Sequence, residues 1–80
     1  MGGNSKRKAY LKRQARNARW DLLATKALLT TSDPSSLYDI NRADAVLGLL
    51  GVHQTAGNRT RLYEALDRAG ITLSTTHYVW

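Results

Sequence analysis

Asn58-Arg59-Thr60-Arg61, with Tyr63 just beyond, is the segment of this chain best equipped to read another molecule. Arginine can bridge guanine O6 and N7 through two N–H donors, while Asn and Thr read or clamp neighbouring groups. With Asn58 as a helix cap, these side chains stand at the start of a helix. That is the part of a helix-turn-helix recognition helix that enters the major groove. The first backbone N–H groups of such a helix can also hold a phosphate. A second constellation lies near the start of the chain: Lys6, Arg7, Lys8, Lys12, Arg13, Arg16 and Arg19. At 100° per residue, Lys8, Lys12, Arg16 and Arg19 share an arc of roughly 80°. A row of cations like this neutralises successive phosphates, and its affinity falls steeply as salt rises.

Nothing comparable supports catalysis. The chain has no cysteine, which excludes disulfides, thiolate metal sites and thiol nucleophiles. His53 and His77 are too far apart in sequence to form a metal pair on one helix. No Gly-rich loop ends in Lys-Ser or Lys-Thr, the pattern that cradles nucleotide phosphates. Ser32, Ser35 and Ser36 fall in a turn cluster, where hydroxyls cap backbone groups. Asp33, Asp39 and Asp44 read the same way. The expectation is a binding protein that is not an enzyme and has no cofactor or metal.

The charge distribution sharpens this. The 80 residues carry a net charge of +6, enough chain for one small domain. Residues 1–26 hold eight basic groups and one acid, Asp21, a balance of +7. Residues 27–80 hold four basic groups and five acids, a balance of −1. The charged head points to a polyanion, and the 42% apolar share suits a folded body. No apolar run is long enough for a membrane span, and the basic start leads into no secretory apolar core. The expected setting is cytoplasmic, with no membrane partner.

The elements that must position these residues read as an all-α domain: three helices and an extended tail. The first helix spans residues 6–29, capped by Asn4 or Ser5. Leu11, Ala15, Ala18, Leu22 and Leu29 fall within about 60° of one another and form its apolar stripe. Beyond Trp20 the apolar set widens to Leu23, Ala27 and Leu28, so the second half packs in a core from which the first half projects. Thr30-Thr31-Ser32-Asp33-Pro34-Ser35 is a turn cluster, and Pro34 excludes a continuous helix through it. Ser36 or Asn41 then caps a second helix with Leu37, Ile40, Val46, Leu47 and Leu50 on its apolar face, ended by Gly51. The third helix runs over residues 59–69, with Leu62, Ala65, Leu66 and Ala69 facing inward and Gly70 as its stop. Residues 36–70 thus form a helix-turn-helix-like pair, with a loop longer than usual. Residues 71–80 read as an extended tail. Trp20, Tyr38 and Trp80 are better explained as core than as base-stacking platforms.

Val46-Leu47-Gly48-Leu49-Leu50-Gly51-Val52, Thr55-Ala56-Gly57-Asn58-Arg59-Thr60-Arg61-Leu62, Asp67-Arg68-Ala69-Gly70-Ile71 and Thr75-Thr76-His77-Tyr78 form a series. It resembles the helix-turn-helix module carried at one end of many bacteriophage and actinobacterial HNH-type homing endonucleases. The likeness covers residues 36–78, about half the chain. It implies that Asn58, Arg59 and Arg61 open the DNA-contacting helix and that His77-Tyr78 belongs to the closing motif. The nuclease part is missing: His53, Asn58 and His77 have the wrong spacing for an HNH site.

The expected function is therefore a small DNA-binding protein, a phage-encoded transcriptional regulator. Its third helix would read the duplex and its first would hold phosphates. Against groove insertion stand Glu64 and Asp67 on the exposed arc of the third helix, which a groove would repel. Two alternatives are a phage host-takeover or anti-defence protein that binds a host protein, and an RNA- or ribosome-associated protein gripping through the basic first helix. Strong specificity would require a dimer or a second contact, for which Trp80 and the tail offer an edge.

Overall fold

A computed structural model describes residues 2–71, with side chains from Lys8 onward. The extended tail, and with it His77, Tyr78 and Trp80, lies outside the described residues. Three helices, α1 (Gly2–Leu28), α2 (Ile40–Leu49) and α3 (Ala56–Arg68), and one 3-10 turn (Pro34–Tyr38) make up the described chain. The domain is all-α, as its periodicity predicts.

α1 starts at Gly2, ahead of the expected Lys6, so Asn4 and Ser5 lie inside the helix and do not cap it. The Ala, Leu, Lys, Arg and Gln that follow are strong helix formers, and a helix once nucleated propagates through weaker residues. The core face of α1 also differs from the expected one. Trp20, Leu23, Ala24 and Ala27 are buried, and Leu28 packs against them. Leu11, Leu22 and Leu29 are 52%, 57% and 84% exposed. The two apolar arcs lie about 160° apart on the helix, and burial follows the one that carries Trp20, the largest apolar side chain available. Residues 8–19 are exposed apart from half-buried Asn17, so the first half of α1 stands clear of the body.

Pro34 opens the 3-10 turn, which drives Leu37 fully into the core. Asp39, and neither Ser36 nor Asn41, caps α2. Its Oδ1 accepts hydrogen bonds from the backbone N–H groups of Asn41 (2.9 Å) and Arg42 (3.2 Å). Ile40, expected on the apolar face, is exposed; Ala43, Val46 and Leu47 are buried.

Both glycine stops hold. Gly51 and Gly70 have φ of +74° and +83°, in the left-handed region that favours glycine. At the end of α2 the N–H of Gly51 donates to the Gly48 carbonyl, and that of Val52 to Leu47. At the end of α3 the N–H of Gly70 donates to Asp67, and that of Ile71 to Leu66. These are two Schellman motifs, each closed by an apolar residue, Val52 or Ile71, that packs on the core. Leu37, Ala43, Val46, Leu47, Leu62, Ala65 and Leu66 complete the core with the α1 face.

Candidate nucleic-acid interface

The cap of α3 is Thr55, upstream of the expected Asn58. Thr55 Oγ1 accepts a hydrogen bond from the Asn58 backbone N–H at 3.1 Å. Asn58 sits in the first turn and its side chain reaches back, donating from Nδ2 to the His53 carbonyl at 2.8 Å. The His53 carbonyl thus accepts twice, from Asn58 Nδ2 and from the Thr55 backbone N–H at 3.0 Å, which fastens the loop to the first turn of α3. Gln54 completes the connection by donating to the Asp44 carbonyl at 2.6 Å.

The five residues expected to enter a groove meet different fates. Arg59 forms an ion pair with Asp44 at 2.8 Å, with the two side chains 23% and 32% exposed. It ties α3 to α2. Asn58 is committed to His53 and also accepts from Arg61 Nη1 at 3.1 Å. Tyr63 is half-buried against the core, its ring stacked on Tyr38 with centroids 5.5 Å apart. Its hydroxyl is buried without a partner among the described residues, so Tyr63 is not offered to a groove. Thr60 and Arg61 are exposed. So are Glu64 and Asp67, on the same helix. The accessible face of α3 is short and of mixed sign.

Beneath it lies a tyrosine pair. The Tyr38 hydroxyl stands between the Asp67 carboxylate and the Ile71 carbonyl, one proton for two acceptors. Burial raises the Tyr38 pKa well above its ordinary value near 10, and the hydrogen bond and charge of Asp67 raise it further. Tyr63 is raised by burial; Arg59 lowers it, while Asp44 and Asp39 raise it. Both stay neutral at physiological pH and act as packing groups with a polar end.

The basic constellation on α1 is arranged differently. Lys8, Lys12, Arg13, Arg16 and Arg19 are all exposed, and among the described residues none is bonded to an acid. The side chains of Lys6 and Arg7 lie outside the described set. Asp21, the sole acid of the basic head, is held by Arg68 of α3 through Nη2 at 2.8 Å and Nε at 2.9 Å. Arg68 also donates to the Asn17 carbonyl at 3.4 Å. That bond pins α1 to α3 and removes the one local competitor for the cations. An open groove of about 210 Å³ beside it is lined by Asp21, Thr25, Ala65, Arg68 and Ala69. Among the described residues no three His, Asp or Glu side chains gather, and no helix is long and apolar enough to cross a membrane.

No protein-family model matches the chain, and neither a curated protein nor a solved structure shows significant similarity to it.

Proposed function

We propose that this chain is a small DNA-binding protein, a transcriptional regulator of bacteriophage type, that grips duplex phosphates with the projecting half of α1. The observation that carries this reading is the set Lys8, Lys12, Arg13, Arg16 and Arg19. These are exposed cations on a helical rod that no other described element covers. A rod of this kind fits along a groove, with cations reaching the flanking phosphates. Sequence reading then falls to Thr60 and Arg61, the residues of the expected recognition set that stay exposed at the start of α3. Asn58 and Arg59 hold that start in place. No catalytic step belongs to this reading.

The test is fluorescence anisotropy against duplex DNA and matched duplex RNA over a salt series. Five phosphate contacts give a slope of log affinity against log salt of about −4.5. Arg13→Ala with Arg16→Ala should flatten it by about 2. Selection from random duplexes should enrich one sequence, and Arg61→Ala should erase that preference. Tighter binding to RNA at matched salt, or no enriched sequence, overturns the regulator reading.

A further inference from the structure

The leucines of α1 that do not enter the core are not scattered. Leu11, Ala15, Ala18, Leu22, Thr25 and Leu29 follow one another at alternating intervals of four and three, the spacing of a coiled-coil seam. From Leu11 to Thr25 the row runs about 21 Å along the side of α1 opposite Trp20 and Ala27, and Leu29 follows in the turn after it. All six residues are exposed. The Thr25 hydroxyl is satisfied within its own helix, donating to the Asp21 carbonyl at 3.0 Å, so it presents a methyl group without an unmet polar demand. Ala15 and Ala18 at the middle allow a close helix–helix approach.

The flanks of the seam say what covers it. Lys12, Arg19 and Lys26 border one edge, all exposed and all cationic. The other edge is Gln14, Asp21 and Leu28; Asp21 is already held by Arg68, and Leu28 packs on the core. A second copy of the chain fits poorly. Antiparallel pairing sets the cationic edge against itself, and parallel pairing places Lys8 opposite Lys8. A phosphate backbone has no use for a leucine row. We propose that this face docks an acidic amphipathic helix of another protein, with leucine-like side chains in the seam and carboxylates against Lys12, Arg19 and Lys26. Thr25 belongs both to the seam and to the groove beside Arg68, which leaves room for a side chain of the docked helix. Arg13 lies on the far side of α1 from the seam, so this contact and the phosphate contact can be separated by substitution.

The probe is a labelled synthetic four-heptad peptide with Leu at the seam positions and Glu at both flanks, titrated with the full chain. The control peptide carries Lys at both flanks. The acidic peptide should bind in equimolar ratio, at least about tenfold more tightly than the control. Leu11→Ser with Leu22→Ser should weaken it about a hundredfold, near tenfold for each leucine. Both positions are exposed, and unchanged circular dichroism of the variant confirms the fold. Arg13→Ala should leave peptide binding unchanged while weakening DNA binding. Equal affinity for both peptides, or indifference to the leucine substitutions, overturns the proposal. So does seam-dependent self-association in sedimentation, or seam-dependent capture by vesicles containing phosphatidylglycerol.

Discussion

Arg59 is the residue on which sequence pattern and structure most directly diverge, and its removal separates two roles. As a base-reading residue it would leave stability untouched and carry sequence preference. In the structure it is a clamp: its guanidinium meets Asp44 at 2.8 Å, with about a quarter of one side chain and a third of the other exposed. Fully exposed pairs contribute about 0.2–1 kcal/mol, and breaking a fully buried pair costs about 3–5 kcal/mol. This intermediate pair should contribute about 1–1.5 kcal/mol. In a domain of this size each kcal/mol moves Tm by about 4–8 °C, so Arg59→Ala should lower Tm by about 4–12 °C. Asp44→Ala should cost a similar amount, and the double variant little more than either, which is the signature of a coupled pair. Differential scanning calorimetry of the four proteins measures this, with the salt dependence of DNA affinity followed in parallel. That slope should be unchanged in Arg59→Ala, because the clamp neutralises no phosphate. Asp44→Ala, which frees the guanidinium, should not weaken DNA binding. An unchanged Tm in Arg59→Ala, together with loss of a DNA sequence preference, would refute the clamp.

Other substitutions probe the frame around this site. Gly51→Ala and Gly70→Ala place a Cβ in the left-handed region, and each should lose about 1–2 kcal/mol in urea unfolding; a loss below a few tenths at either would contradict the Schellman stops. Tyr63→Phe removes a buried hydroxyl without a partner, so its Tm should equal or exceed that of the parent chain. Tyr38→Phe takes away the group that Asp67 and Ile71 share and should lower Tm. The raised Tyr38 pKa makes a pH prediction as well. The unfolded chain loses this proton near pH 10 while the folded chain keeps it, so stability is complete below pH 10 and declines as pH climbs above it. Denaturant midpoints measured from pH 8 to about 11 should fall less in Tyr38→Phe than in the parent.

What could be read from the sequence divides along physical lines. Gly51 and Gly70 announced the helix ends, because a left-handed residue after a helix is nearly a local property. The inward residues of α3, Leu62, Ala65 and Leu66, were legible because they lie on a face whose apolar content is unambiguous, and Trp20 because so large an apolar side chain favours burial. The start of α3 was harder: Thr55 and Asn58 are both good caps, and the choice rests on two bonds, from the Asn58 N–H to Thr55 Oγ1 and from Asn58 Nδ2 to the His53 carbonyl, that no single residue type announces. The Arg59–Asp44 pair was invisible for a related reason. It joins two helices across a connection, and only their packing brings a lone arginine to a lone aspartate.

The α1 stripe is the most instructive divergence. Leu11, Ala15, Ala18, Leu22 and Leu29 form a better periodic row than the face that is buried. Periodicity reports that an apolar face exists; it does not name the surface that covers it. Intramolecular burial went to the arc with Trp20, whose ring offers the most area, and which the short α2 and α3 suffice to cover. Among the described residues, α2, α3 and the 3-10 turn cover one side of the 27-residue α1 and leave the other exposed. In the proposed docking the second face takes a partner helix, and the cations beside it, Lys12, Arg19 and Lys26, set the acidic charge which that helix would carry.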